Sequence, residues 1–475
     1  MRLRELFPQA QGDPEVTSLA YDARQVRPGA LFFCVRGFTR DGHEFAAQAV
    51  ADGAVALVVD HPLGLGVPEV VVEDVRAAMA PAAARLHGDP SARLDVVGIT
   101  GTSGKTTTAF LVRELLEGAG RRTALLGTVK SVVAGAEGTL ARTTPEAVDL
   151  QAAFAEMVAG GDVACAMEVS SHALELHRAD AIHWAVAVFT NLSQDHLDFH
   201  PTMEDYFAAK RRLFHAGPRV GVVHVDDPWG ARLAAELRDV TTLSVEGDAD
   251  LRAVDVRPGL EGTDFAVVAR DGGRLELHSP LRGRFNVANA LGAVAVARAL
   301  GVADGDIARA LRGAAPVPGR LEPVEEGQPF AVLVDYAHKP GAIESVLRAA
   351  RDLTHGRVII AFGAGGDRDR GKRPVMGEIA ARMADEVVVT SDNPRNEDPD
   401  AIIAEILAGI PRDAARVEPD RRAAIELAVS LAREGDVVLI AGKGHEQGQE
   451  LASGVKVPFD DVAVAREALR ARVVA

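Results

Sequence analysis

The segment Gly101-Thr102-Ser103-Gly104-Lys105-Thr106-Thr107 has the residue types needed to hold a polyphosphate. Glycines let backbone N–H groups approach phosphate oxygens, the lysine reaches the β and γ phosphates, and the first threonine stands where a hydroxyl ligates magnesium. Ile99 takes the place of the first glycine in the strict phosphate-loop pattern, so this is a variant. The flanks support it. Leu94 to Thr100 predicts a strand and Thr106 to Glu117 an apolar periodic helix, putting the loop at a strand-to-helix turn.

Three further groups could serve phosphoryl chemistry. Glu168-Val169-Ser170-Ser171-His172 follows the apolar run Val163 to Met167, so a carboxylate sits at a strand end, where it suits a magnesium ion or, equally, a helix cap. Thr190-Asn191-Leu192-Ser193-Gln194-Asp195-His196-Leu197-Asp198 follows another strand, and its His196, taken alone, is a structural hydrogen-bonder. Lys210 lies in a helical stretch from Met203 to Phe214 and by itself is a solvated lysine.

The elements that must position these groups indicate an α/β protein of several domains, because 475 residues with 47% apolar content exceed one core. Short strands at Ala30 to Val35 and Ala54 to Val59 suggest a small α/β domain over 1–90; a central domain of parallel strands spans 91–317, with strands Ala185 to Thr190 and Val220 to Val225 and an Ala-rich helix Asn286 to Leu300. Pro316-Val317-Pro318-Gly319 marks a boundary, and 318–475 reads as a Rossmann-like, doubly wound sheet with strands Phe330 to Val334, Arg357 to Phe362, Glu386 to Thr390 and Asp436 to Ala441. Each of these four runs into a polar loop (335–340, 363–373, 391–399 and 442–447), and loops at the carboxyl ends of such strands predict one ligand site.

A net charge of −16 opposes nucleic-acid binding. Only Cys34 and Cys165 occur, which gives no disulfide framework and fits a reducing compartment. With no signal-peptide core near Met1 and no run of apolar residues long enough for a bilayer, the expectation is a cytoplasmic protein without membrane partners.

Taken together, the phosphate loop, the strand-end Glu168, the His196 loop and the Ala209-Lys210 helix resemble, in order and spacing, the Mur ligase family. The resemblance continues through Gly283-Arg284-Phe285-Asn286, Gly319-Arg320-Leu321-Glu322 and Asp335-Tyr336-Ala337-His338-Lys339-Pro340, where Lys339 replaces the more usual threonine. It implies ATP and Mg2+ as cofactors, with ATP on 101–107, Asn286, Arg320, Asp335 and His338. It further implies Lys105 as a catalytic cation, and magnesium on Thr106, Glu168, His196 and Lys210, the last as a carbamate.

Leu19-Ala20-Tyr21-Asp22-Ala23-Arg24 and Asp41-Gly42-His43 look like the uridine-nucleotide domain of members adding the third or last residues of the peptide; Ala23 stands where serine is common. Tyr21, Ala23, Thr143, Thr144, Ser170 and Arg178 resemble contacts to a UDP-muramoyl dipeptide. Ser391-Asp392-Asn393-Pro394-Arg395, with Arg368, Gly442 and Glu446, resembles the site for the incoming diamino acid. Arg395 can bind a distal carboxylate bidentately, while Asp392 and Glu446 can receive an ammonium, which favours meso-2,6-diaminopimelate over lysine or ornithine. The implied protein is a monomeric ATP-dependent amide ligase acting on small molecules. Folylpolyglutamate synthetase is a rival lacking a counterpart of 1–90, and a non-catalytic nucleotide-binding regulator is a second, which leaves Lys105, Glu168, His196 and Lys210 unexplained.

Overall fold

The structure, a computed structural model, describes residues 1–474, which form two compact units: Met1–Leu251 with Leu291–Ile307, and Arg252–Ala290 with residues from Ala308 onward. The first unit opens with four parallel strands in chain order, Ser18–Ala20, Ala30–Phe33, Ala54–Val59 and Glu69–Val71. Successive side chains of a strand point to opposite faces. Leu31, Phe33, Ala56 and Val58 therefore join one core with Val75 and Met79 of the helix Val75–Leu86, while Phe32, Leu57 and Val59 join another with Ala46 and Ala49 of the helix Ala46–Ala51.

Next in this unit, the strand Asp95–Thr100 lies between Trp184–Phe189 and Ala164–Glu168, parallel to both. Val220–His224 and Val240–Ser244 extend the order on one side and Thr123–Leu126 on the other, all parallel. Except for Val240–Ser244, which is half-buried and polar in its middle, these strands are buried on both faces, which is why they read as continuous apolar runs. Their shared direction brings the loop 101–104, Glu168 and Thr190 to one sheet end.

The second unit holds a six-stranded sheet in the order Glu322–Pro323, Ala331–Asp335, Val437–Ala441, Val358–Phe362, Glu386–Val389 and Arg416–Val417, parallel except for the first. Leu333, Ile360 and Leu439 face one core and Val332, Ile359 and Val438 the other. The sequence reading missed the strands Gly262–Ala269 and Arg274–Ser279, which pair antiparallel. Arg274–Ser279 is partly exposed and carries Arg274, Glu276 and His278, so a search for continuous apolar runs passes over it. Among the described residues no helix is long and apolar enough to cross a membrane.

Arg421 braces the site end of this sheet. Its guanidinium pairs with Asp461 at 2.7 and 2.8 Å and donates to the carbonyls of Ser391 and Ala441, each at 3.1 Å, with both ionic partners fully buried. Asp461→Ala leaves a buried guanidinium unpaired, and thermal unfolding is expected to show a loss of about 3–5 kcal/mol from this unit.

Candidate active site

Gly101 turns the chain out of its strand at φ +148°, and a Cβ there would lie 1.9 Å from Thr190 Oγ1. The loop is tied to the neighbouring strand end. Thr102 N donates to the Asn191 carbonyl at 2.9 Å, Ser103 N to Asn191 Oδ1 at 3.0 Å, and Thr190 Oγ1 to the Ser103 carbonyl at 2.7 Å. Gly101→Ala is therefore expected to displace the loop and cut activity by about a hundredfold, since misplacing catalytic groups by 1 Å costs about that much. Steady-state kinetics beside an unfolding curve would separate this from misfolding.

Lys105 heads the helix Lys105–Gly118 and donates to the carbonyls of Gly101 and Thr102, both at 2.9 Å. Lys210, 1% exposed on the helix Met203–His215, donates to the same Gly101 carbonyl at 2.8 Å and lies 4.6 Å above the Tyr206 ring centroid. Tyr206 Oη is 3.2 Å from Thr102 Oγ1, and its ring stacks on His200 at 5.1 Å. On another side of the same ring stands His196, at 6.0 Å, in a left-handed conformation at φ 51°. His196 packs edge-on against His172 at 4.9 Å and lies 3.3 Å from Asp195.

Glu168 is 1% exposed yet fully engaged. Its Oε1 accepts from Thr106 Oγ1 at 3.0 Å and from Thr128 N at 2.8 Å, while Oε2 accepts from Thr128 Oγ1 at 3.2 Å. Thr128 Oγ1 in turn is 3.0 Å from Thr143 Oγ1. Thr144 Oγ1 donates to the Glu168 carbonyl at 2.9 Å and accepts from Ser170 N at 3.1 Å, and Ser170 caps the short helix Ser171–Glu175. Thr106, Glu168, Thr143, Thr144 and Ser170 thus form one connected network, in which the missed member is Thr128.

Beside it, Arg178 lies 3.0 Å from the buried Glu146, which also pairs with Arg76 at 3.1 Å and Arg142 at 3.0 Å. Burial pulls the Arg178 guanidinium below its usual range and Glu146 partly restores it. Tyr21 Oη donates to Asp149 at 2.5 Å, and burial pushes its phenol up. Ala23 opens a single 3-10 turn capped by Asp22. The sequence cue to Glu146 is a carboxylate directly after Thr143-Thr144-Pro145.

In the second unit, Asp335 accepts from Leu321 N and Ala337 N, both at 2.8 Å, and Arg320 lies 4.9 Å over the Tyr336 ring. Asn286, 1% exposed, donates to the Arg282 carbonyl at 2.8 Å and accepts from Asn289 at 2.9 Å. Burial holds the imidazoles of His338 and His445 down at about 4 and pushes Asp335 up to about 6. Between pH 6.5 and 4 the unfolded imidazoles bind protons that the folded ones refuse, so their stabilisation is complete above 6.5 and lost as pH falls. Asp335 has the opposite sign, keeping its proton in the fold up to about 6. Two groups outweigh one, so the melting temperature of this unit should fall on acidification through that window, and less steeply in His338→Gln.

The diamino-acid candidates meet around Lys443, which is fully buried. Its Nζ donates to Asn393 Oδ1 at 2.7 Å and lies 3.3 Å from Glu446 and 3.5 Å from Asp392. Gly442, at φ +125°, would place a Cβ 2.9 Å from Asp392 Oδ2. Pro394 precedes Arg395, whose left-handed backbone (φ 51°) turns its side chain onto Glu450 at 2.9 Å and the Gly366 carbonyl at 2.8 Å. Arg368 borders the same Gly365 as Arg395 and Asn393; its side chain is exposed and donates to the Asp367 carbonyl at 2.9 Å. Sequence reasoning singled out the segment Gly442-Lys443-Gly444-His445-Glu446 without giving Lys443 a role, and missed Glu450.

Comparison with known proteins agrees with this geometry. Residues 15–88 match the Mur ligase family catalytic domain, 99–297 the Mur ligase middle domain, and 319–444 the Mur ligase glutamate ligase domain. The chain is 50% identical to the UDP-N-acetylmuramoyl-L-alanyl-D-glutamate–2,6-diaminopimelate ligase of Streptomyces coelicolor, over 97% of this chain and 93% of that one. It is 47% identical to the enzyme of the same name from Solibacter usitatus, over 98% and 96%. A solved structure of a ligase of that name superposes with a TM-score of 0.74 at 33% identity, covering 100% of this chain and 99% of that one. A three-domain fold, a phosphate loop tied to its neighbouring strands and matches along the whole length lead to one conclusion: the chain belongs to the Mur ligase family.

Proposed function

We propose that this ATP-dependent acid–amino-acid ligase joins meso-2,6-diaminopimelate to the D-glutamate γ-carboxylate of UDP-N-acetylmuramoyl-L-alanyl-D-glutamate, a step in peptidoglycan precursor synthesis. The observation that carries the substrate is the Asp392-Asn393-Pro394-Arg395 turn, in which a partly buried guanidinium is held by Glu450 and the Gly366 carbonyl. Diaminopimelate differs from lysine and ornithine by a carboxylate, the group a guanidinium fork binds best.

In the first step a γ-carboxylate oxygen attacks the γ-phosphorus of ATP and ADP departs, leaving an acyl phosphate. The diamino acid's amine then attacks the acyl carbon, loses a proton, and phosphate leaves with the former carboxylate oxygen. Lys105 offsets charge on the phosphoryl group being transferred. Thr143, Thr144, Ser170 and Arg178 hold the dipeptide, with Tyr21 and the Ala23 turn toward the uridine nucleotide.

The oxygens of Thr106 and Glu168 fit a hard cation such as Mg2+, with His196 and a carbamylated Lys210 for a second. Bound there, magnesium would neutralise phosphate charge. Support for the carbamate is electrostatic: the Lys105 and Lys210 ammoniums share one carbonyl acceptor, and carboxylating Lys210 would turn that repulsion into attraction. The reading also assigns domains 1–90, 91–317 and 318–475, and a cytoplasmic monomer working on small molecules without nucleic acid or membrane. Labelling the γ-carboxylate with oxygen-18 tests the route. One label should appear in the released phosphate, and unlabelled phosphate would rule out the acyl phosphate.

A further inference from the structure

Apart from the residues placed in the catalytic site, two imidazoles and a carboxylate converge in the N-terminal sheet, one of them His43 of the Asp41-Gly42-His43 segment. His43, Asp60 and His61 present one ligand atom each, all within 4.8 Å of one another. The backbone prepares this. A Cβ on Gly42 would lie 2.6 Å from both the N and the O of Val35, so only glycine lets the chain pass close enough to set His43 at this place. Asp60 immediately follows the strand Ala54–Val59, which orients it and His61.

Asp41 caps the turn by accepting from His43 N at 3.0 Å and takes His43 Nδ1 at 2.6 Å. With Nδ1–H committed to that carboxylate, Nε2 carries the lone pair; it accepts a long bond from Asp60 N at 3.4 Å, which an ion would replace, and lies 3.2 Å from Asp60 Oδ1. That spacing matches the edge of a tetrahedron with metal–ligand bonds of about 2.0–2.1 Å, roughly 3.3 Å. Arg36 occupies the other Asp60 oxygen at 2.7 Å, so Oδ1 is the carboxylate oxygen an ion can take once His61 turns away from it. His61 is hydrogen-bonded through Nδ1 to the same Oδ1 and stacks on His43 at 4.7 Å; half-exposed, it can turn without repacking.

We propose that His43 Nε2, Asp60 Oδ1 and His61 Nδ1 bind one divalent transition-metal ion, zinc by ligand chemistry, with water completing the tetrahedron and Asp41 orienting His43. Two imidazoles and a carboxylate suit zinc and disfavour magnesium, and a carboxylate behind a ligating histidine is the usual outer support.

The test is calorimetric titration of the full chain with Zn2+ in excess Mg2+, beside His61→Ala and Asp60→Asn. His61 is exposed enough for its variant to fold. The wild type should bind one zinc that each variant binds at least tenfold more weakly, with Asp41→Asn in between. Cobalt should give the wild type alone a tetrahedral visible spectrum. Titrations of wild type and His61→Ala that superimpose, or a wild type that takes up no zinc, would overturn the site.

Discussion

Lys105→Ala should lower kcat/KM by about a thousandfold, a loss of roughly 4 kcal/mol in transition-state stabilisation. The lysine's ammonium is held at 2.9 Å from two loop carbonyls, so its position is set by the backbone before any phosphate arrives. A preset charge costs no reorganisation during the reaction, and alanine removes that charge. The fold should survive, because the side chain is only half-buried and belongs to no hydrophobic core. Steady-state kinetics with saturating dipeptide and diamino acid, beside an unchanged melting temperature, would check both halves. A fall of less than tenfold would remove Lys105 from the chemistry.

Arg395→Ala should act on one substrate alone. Losing a charge-assisted pair of hydrogen bonds to a carboxylate costs about 3 kcal/mol, so KM for diaminopimelate should rise roughly a hundredfold while KM for ATP and for the dipeptide stays put. Lysine, which has no distal carboxylate, should be used no worse than before. Arg395→Lys should recover little, because an ammonium lacks the planar fork. Glu450→Gln, which frees the guanidinium from its 2.9 Å partner, should give an intermediate rise.

How far the sequence foretold this depended on which contacts were local. Strands such as Asp95–Thr100 and Val437–Ala441 were legible because burial on both faces forces an unbroken apolar run, and the polar residues just beyond them had to lie at one sheet end. Glu168 and Lys105 were found that way. Thr128 was not, since a threonine in a loop becomes notable only when Glu168, 40 residues on, folds against it. The pair Tyr21 and Asp149 spans 128 residues, and nothing in either neighbourhood announces the other. Lys210 gave no sign of burial, because its helix neighbours Arg211 and Arg212 read as a solvated face. The resemblance to the family supplied it instead.

The most direct test of the account is phosphate release from ATP in the presence of magnesium and UDP-N-acetylmuramoyl-L-alanyl-D-glutamate, with meso-diaminopimelate, lysine or ornithine supplied separately. Release with diaminopimelate alone, abolished by Lys105→Ala, is the predicted result. Equal or faster release with lysine or ornithine would contradict Arg395 as the reader of the distal carboxylate.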